Sequence, residues 1–413
     1  MSANRRKVFG ILTAVILVSV GAGVAAINFG TCAGASNGDR TLAQTGWRLA
    51  SPVTYQNLTI FPVVAAQDAD TSEFATLDEA LASGDALVTE QGSYMRRTRD
   101  GSIPPNFSSG PQVNQLVLIN RGKRPLILLA GEIVSGGKQD RVIGKDRIVP
   151  AGSAPLPLDV FCVEHGRWTP GAEQFSAAQV MVYPTVRDKA AIEQDQKQVW
   201  AAVRGEAPPV GASSESTMAD GAVAGIGRGN GSGNGVGVSA APQISRAAVA
   251  GAIEASGTQS YQKIYQASPI GTSVETFAEE IQRRFDRATS NLKGERVVGV
   301  VVAFGAEPAW SDIFASSQLF DSYWPKLLRS YVVEAMTRPG IRRPASLDDA
   351  RDFLRPATGH IEEESEPGIY RWRKQSEGRL AEIDLDALAP KTLTLHWLRV
   401  LHGNASGRLG IVE

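Results

Sequence analysis

Residues 116–168 read LVLINRGKRPLILLAGEIVSGGKQDRVIGKDRIVPAGSAPLPLDVFCVEHGRW. Apolar runs at Leu116–Asn120, Leu126–Val134, Arg141–Ile143, Ile148–Pro150 and Leu158–Glu164 are cut by turn signals. Those signals are Arg121-Gly122-Lys123-Arg124-Pro125 and Ser135-Gly136-Gly137, whose paired glycines let a tight turn adopt positive φ. Short β-prone runs with turns between them predict an antiparallel sheet or sandwich. At the turns stand Glu132, Lys138, Gln139, Asp140, Arg141, Glu164, His165 and Arg167.

Helical patterns flank this block. Thr76 and Glu79 form a capping box for a short helix that Gly84 ends. Residues 186–204 have a helical pattern, with Ile192, Val199 and Val203 on one face. Thr272 and Glu275 form a second box. Val274, Phe277, Ala278, Ile281, Phe285, Ala288 and Leu292 then repeat with a period near 3.6, which predicts an amphipathic helix over 272–292. Leu319 to Met336 carries paired apolar positions every four residues, with Pro325 inside, where a kink or break is expected. Ser346 and Asp349 make a third box. Arg296–Phe304 has the pattern of a buried strand, and strand character returns at Ile369–Trp372, Leu380–Leu385 and Leu393–Val400. The expected fold is α+β, with a largely antiparallel, sandwich-like β core flanked by the amphipathic helices.

Domain organisation follows from composition. Arg5, Arg6 and Lys7 precede an apolar run from Val8 to Ile27, the pattern of an export signal, and Ala33-Gly34-Ala35 fits its cleavage site. The run also reaches the roughly 20 residues that span a bilayer. Residues 1–35 are therefore a cleaved signal peptide or an uncleaved anchor, with the bulk of the chain exported, periplasmic or extracellular. Cys32 raises a lipoprotein reading, but Phe29-Gly30-Thr31 is a poor lead-in. Residues 36–46 form a linker, and 47–413 form a single domain. It is interrupted at 205–241 by a Gly, Ser, Ala and Pro segment too poor in apolar groups to order itself. That segment is not a phosphate loop, since its glycines do not lie between a strand and a helix.

With 42 basic and 43 acidic residues, the chain has no overall field to draw nucleic acid, and membrane contact is expected only through 8–27 if that run is uncleaved. Cys162, within Asp159–Val163, is expected to be a buried small hydrophobe. Four histidines without HExxH or CxxC argue against a metal site, and no cofactor motif is present.

The strings TLDEAL (76–81), Gly131-Glu132, GGKQDR (136–141), CVE (162–164), GRW (166–168) and WPKLLRSY (324–331) together resemble the ARG and rhodanese-phosphatase-superfamily-associated protein domain, where ARG stands for ADP-ribosylglycohydrolase. The resemblance runs from about Trp47 to about Met336, and the long glycine-rich insertion departs from it. It implies a label and candidate residues, with ADP-ribose-like or phosphorylated compounds as the ligand class it prompts.

Two readings of the polar residues follow. In the first, the domain binds or hydrolyses a small anionic ligand: Lys138, Gln139, Arg141, Glu164 and Arg167 hold it, and Glu132 or Asp140 is the base that activates water. In the second, the domain is a non-catalytic envelope-facing interaction or structural module, and the same residues are an internal salt-bridge network. Glu132, inside an apolar run, is expected to pair with Arg141 or Arg167. His396 and His402 are expected to be structural, and Arg329 and Tyr331 to join their helix to the sheet. A concave pocket lined by these side chains would favour the first reading, and mutual pairing the second.

Overall fold

The computed structural model describes residues 45–91, 115–163, 172–205, 244–255, 261, 265, 269–338 and 343–402. Residues 1–35, nearly all of the glycine-rich insertion, Glu164, His165 and Arg167 lie outside the described residues. No described helix is long and apolar enough to cross a membrane.

Strands β1 (Trp47–Leu49), β2 (Val53–Tyr55) and β3 (Leu58–Ala65) come first, and β4 (Ala75–Thr76) runs into helix α1 (Leu77–Ser83). The capping box opens α1 as expected. The Thr76 hydroxyl accepts from the Glu79 amide, Glu79 accepts from the Thr76 amide, and Gly84 closes the helix in the left-handed region. β5 (Ala86–Glu90), β6 (Gln115–Asn120), β7 (Leu126–Leu128), β8 (Glu132–Ser135), β9 (Arg141–Ile143), β10 (Arg147–Val149), β11 (Leu156–Cys162) and β12 (Gln174–Met181) follow. β5, β6, β8, β9, β11 and β12 form a closed barrel in the order β11-β6-β5-β12-β8-β9, every pair antiparallel. The strand-rich block thus closes on itself. All six strands and α1 contribute to its own core, which includes Leu77, Val88, Leu118, Val134, Ile143, Val160 and Phe175. Cys162 ends β11 buried.

Helices α2 (Pro184–Ala191) and α3 (Gln196–Val203) replace the one helical stretch expected over 186–204. The break lies at Gln194, whose φ is 51°, and Asp195 caps α3 by accepting from the Gln198 amide. Helices α4 (Arg246–Ala255) and α5 (Pro269–Thr289) precede β13 (Arg296–Phe304) and β14 (Glu307–Phe314). α5 starts at Pro269, ahead of the expected Thr272 box, because proline's fixed φ suits the first helical turn; Glu275 instead binds Arg329 at 2.7 Å. α6 (Ser317–Met336) is unbroken at Pro325. Fourteen of its side chains are buried, and that packing outweighs the roughly 3 kcal/mol an internal proline costs. α7 (Leu347–Phe353) opens on the Ser346–Asp349 box. The chain then forms β15 (His360–Glu366), β16 (Tyr370–Glu377), β17 (Leu380–Ala387) and β18 (Leu393–Leu401).

These last strands complete an antiparallel sheet of order β1-β3-β13-β14-β18-β17-β16-β15, with β2 also on β3. The fold is α+β with mostly antiparallel sheets. Alternation along each strand gives the sheet two faces. The inner face packs Val300, Val302, Phe314, Trp372, Ile383, Leu385 and Leu398 against α5, α6 and the outer wall of the barrel. The outer face has a smaller apolar half, in which Leu49, Phe61, Val63, Val301, Ile313 and Trp397 pack on Ala350 and Leu354.

Candidate functional site

The β7–β8 connection, Leu129-Ala130-Gly131-Glu132, is tied by its backbone and by buried charges to both the barrel and the sheet. Gly131 takes φ 99°, and a Cβ there would fall 2.8 Å from the Arg187 side chain, so no other residue fits without displacing Arg187. The Gly131 amide donates to Ile143 O, and its carbonyl accepts from Val182 N.

Glu132 is 1% exposed and engaged on both oxygens: Oε2 accepts from the Leu129 amide at 2.7 Å, and Oε1 from Lys326 Nζ at 2.6 Å. Its partner is therefore Lys326 of α6, not Arg141. The distance along the chain explains the miss: nothing local to Glu132 signals a lysine 194 positions away. Lys326 Nζ also donates to Asp78 of α1 at 2.8 Å and lies 4.5 Å from the centre of the Tyr323 ring. Burial pushes the Glu132 carboxyl up, and Lys326 only partly restores it. Burial works against the lysine's charge too, but Glu132 and Asp78 outweigh it and raise the Lys326 ammonium above its ordinary value.

A second set of charges centres on Asp312 of β14, which is fully buried. Its carboxylate accepts from Arg187 Nη1 at 2.9 Å, Trp310 Nε1 at 2.8 Å, His396 Nε2 at 2.9 Å and the Tyr331 hydroxyl. His396 Nδ1 lies 2.6 Å from Asp146 Oδ2, and Asp146 Oδ1 accepts from the Ala130 amide at 2.7 Å. Arg187 Nε donates to Ala130 O at 2.7 Å. Six elements meet here: α2, β14, α6, β18, the β7–β8 connection and the β9–β10 turn. Both ring nitrogens of His396 face carboxylate oxygens, which only accept, so the ring carries both protons. Burial alone would lower its pKa; Asp146 and Asp312 raise it to about 9. Burial would raise Asp312, but Arg187, His396 and Tyr331 hold it far below the usual carboxylate range. Two donors at this junction, Arg187 Nη2 and the Tyr323 hydroxyl, have no hydrogen-bond partner among the described residues.

The GGKQDR turn does not join either set. Gly136 and Gly137 take φ 151° and 55°, the positive values the paired glycines predict. A Cβ on Gly137 would meet the Phe175 ring at 2.5 Å. Gln139, Asp140 and Arg141 are buried and Lys138 is exposed. Asp140 Oδ1 accepts from the Ser135 hydroxyl at 2.6 Å, and Arg141 Nη1 donates to Gln139 O at 2.9 Å. The Lys138 amide donates to Glu90 at 3.0 Å. Of the described candidate residues, Glu132 alone reaches the central charges, and Asp140 stands apart from it within its own turn.

Sequence reading missed Lys326, Arg187, Asp146 and Asp312. A signal existed: Asp312 is a lone charge in the apolar run Ala309–Phe314, as Glu132 is in its own. Glu334, in Tyr331–Met336, is a further case. It is fully buried and accepts from the Thr185 amide at 2.9 Å, the Thr185 hydroxyl at 2.8 Å, Arg338 at 2.7 Å and Arg246 at 3.3 Å. Tyr331 joins α6 to the sheet as expected, while Arg329 joins α6 to α5 through Glu275. His402 lies 3.6 Å from Glu193.

No curated protein and no solved structure matches the chain. A family model matches residues 46–402, which takes in the barrel, the sheet and both sets of buried charges as well as the strings that carry the resemblance. The chain belongs to the family of the ARG and Rhodanese-Phosphatase-superfamily-associated Protein domain.

Proposed function

We propose that this domain is an exported, non-catalytic interaction module, and that its central charges are an internal skeleton locking the barrel to the sheet. The basic-then-apolar N-terminus supports export. The observation that carries the non-catalytic reading is the state of Glu132. A general base needs a lone pair within reach of a substrate proton. Both Glu132 oxygens are instead held inside the protein, by Lys326 and by the Leu129 amide. Asp140 is likewise held by Ser135, and Gln139 and Arg141 are buried beside it, so the GGKQDR turn offers a small anion chiefly the exposed Lys138.

The test compares wild type with Glu132→Gln for hydrolysis of ADP-ribose and of phosphate esters, with melting temperatures measured alongside. The expected result is no turnover by either protein and a lower melting temperature for the variant. Turnover by wild type that disappears in Glu132→Gln at an unchanged melting temperature would make Glu132 catalytic and sink the proposal.

A further inference from the structure

We infer that strand β15, at the edge of the large sheet, docks an extended basic segment of a partner protein by strand addition. This names the surface through which the proposed interaction module acts, and so rests on that reading. The sheet order puts β15 last, and among the described strands it pairs with β16 alone. Its seven residues, His360 to Glu366, pair with Ser376 to Tyr370 without a shift in register. All of them are exposed except Glu366, which is half-buried. In an antiparallel pair, alternate residues turn their amide and carbonyl away from the neighbouring strand. Those of β15 therefore face outward as an open row, and no described backbone group beyond its own hairpin turn fills it.

Folded chains protect such edges with short strands, bulges, prolines, lysines or a covering element. The opposite edge of this sheet follows that rule: β1 and β2, which share the side of β3 away from β13, have three residues each. β15 is longer and regular, and holds no proline or lysine. It also carries Ile361, the one large apolar side chain that is exposed among the described residues, at 49%. What remains to guard this edge is charge of a single sign, and that charge selects the occupant.

A strand added to β15 would place its side chains about 4.5–5.5 Å from those opposite. Glu362, Glu364 and Glu366 lie on one face of the strand, and Ile361, Glu363 and Ser365 on the other. Glu362 binds Lys374 at 3.0 Å, Glu364 binds Lys145, and Glu366 lies 3.6 Å from Arg147. These three side chains nevertheless keep 50%, 56% and 34% of their surface open. Glu363 makes no ion pair among the described residues. A second copy of the chain is a poor occupant, because two-fold antiparallel pairing centred on Glu363 sets that residue against itself and Glu362 against Glu364. The same sign of charge disfavours phosphate-bearing partners. A strand with Lys or Arg opposite the glutamates and an apolar residue opposite Ile361 answers each position, while its backbone fills the open row.

The probe is a fluorescein-labelled peptide matched in length to β15, with lysine or arginine opposite Glu362, Glu363, Glu364 and Glu366 and valine opposite Ile361 in the antiparallel sense. The full chain is titrated against it by fluorescence anisotropy, and amide hydrogen exchange is read over 360–366. The peptide should saturate the signal and slow exchange along β15. The same peptide with proline at its centre keeps the charge, loses a backbone donor and should bind about tenfold more weakly. Glu363→Gln should weaken binding about two- to fivefold, the range of one cross-strand charge pair, at an unchanged melting temperature. Glu363→Lys should weaken it further, and a peptide with glutamate at the facing position should recover the loss. No binding, equal binding of the proline peptide, binding without protection of β15, or protection of β15 by self-association without peptide would overturn the inference. Turnover that disappears in Glu132→Gln would instead count against the non-catalytic reading, so the two failures are told apart.

Discussion

Alkaline pH should loosen the junction between barrel and sheet, and His396 should be the cause. The doubly protonated ring bridges Asp146 and Asp312 in full burial. Its pKa is about 9 in the folded chain, against 6.5 for an unperturbed imidazole. A group whose folded pKa is raised contributes stability that is fully present below its unfolded pKa. That stability is lost as pH rises through the folded pKa. From 6.5 to about 9, at about 1.36 kcal/mol per pH unit, the contribution is about 3 kcal/mol. Because the ring is fully buried, solvent screening does not discount it. The assay is urea unfolding at intervals from pH 6 to 9.5, for wild type and for His396→Gln. Glutamine can donate to one carboxylate but carries no charge. Wild type should lose about 3 kcal/mol over the range, most of it above pH 6.5, while the variant's curve stays nearly flat. The variant should also be weaker than wild type at pH 6, since it leaves a buried carboxylate uncompensated, typically about 3–5 kcal/mol. Parallel pH curves for the two proteins would refute the reasoning, because the slope would then belong to other groups.

Three further outcomes follow from the same geometry. Lys326→Met strands Glu132 beside Asp78 and should destabilise by about 3–5 kcal/mol in urea unfolding, more than Glu132→Gln, which keeps an acceptor for the Leu129 amide. Gly131→Ala should lower stability by about 1–3 kcal/mol, because φ 99° and the 2.8 Å approach to the buried Arg187 leave no relaxed position for a methyl group; an unchanged melting temperature would contradict this. Excising residues 208–241 should leave the melting temperature within about 2 °C of wild type, because a Gly, Ser and Ala segment has little apolar surface to bury. A Cβ on Gly205 would lie 2.8 Å from that of Arg246, so four remaining residues can join Gly205 to Ile244.

What the sequence made legible was local. The glycine conformations at 136 and 137 and the boxes at Thr76 and Ser346 depend on residues within one turn, and all appear as read. The buried status of Glu132 was legible too, since a carboxylate in an apolar run must be compensated. Its partner was not, because Lys326 reaches it only once α6 docks. Barrel closure was hidden for the same reason. The pairing of β5 with β12 and of β9 with β11 decides between a barrel and an open sheet, yet alternation within each strand is the same in both. The second box, at Thr272, failed because Pro269 offered an earlier start. One signal in the tail went unused. Tyr370-Arg371-Trp372-Arg373 alternates aromatic with basic, and Glu382-Ile383-Asp384-Leu385-Asp386 alternates acidic with apolar. Paired antiparallel, such strands must set Arg371 against Asp386 and Arg373 against Asp384, as the register does.

Both faces of the sheet hold buried donors without partners among the described residues, yet the two sets differ in what surrounds them. At the inner face, Arg187 Nη2 and the Tyr323 hydroxyl sit among buried residues, next to an Asp312 carboxylate that already accepts from four side chains. Additional bonds there gain little. Burial has been offset by pairing, which is how a skeleton of charges holds barrel and sheet in one arrangement. At the outer face Arg371 binds Asp386, Arg373 binds Asp384 and Arg399 binds Glu382, and exposure grades from Arg399 at 2% through the Arg371 side chain at 35% to Ile361 at 49%. A sheet that needed this half only for stability would gain by replacing the Ser311 hydroxyl with a methyl group. Ser311→Ala should therefore leave the protein as stable as before or more so, and a fall in melting temperature would show that the hydroxyl has a partner in the folded chain.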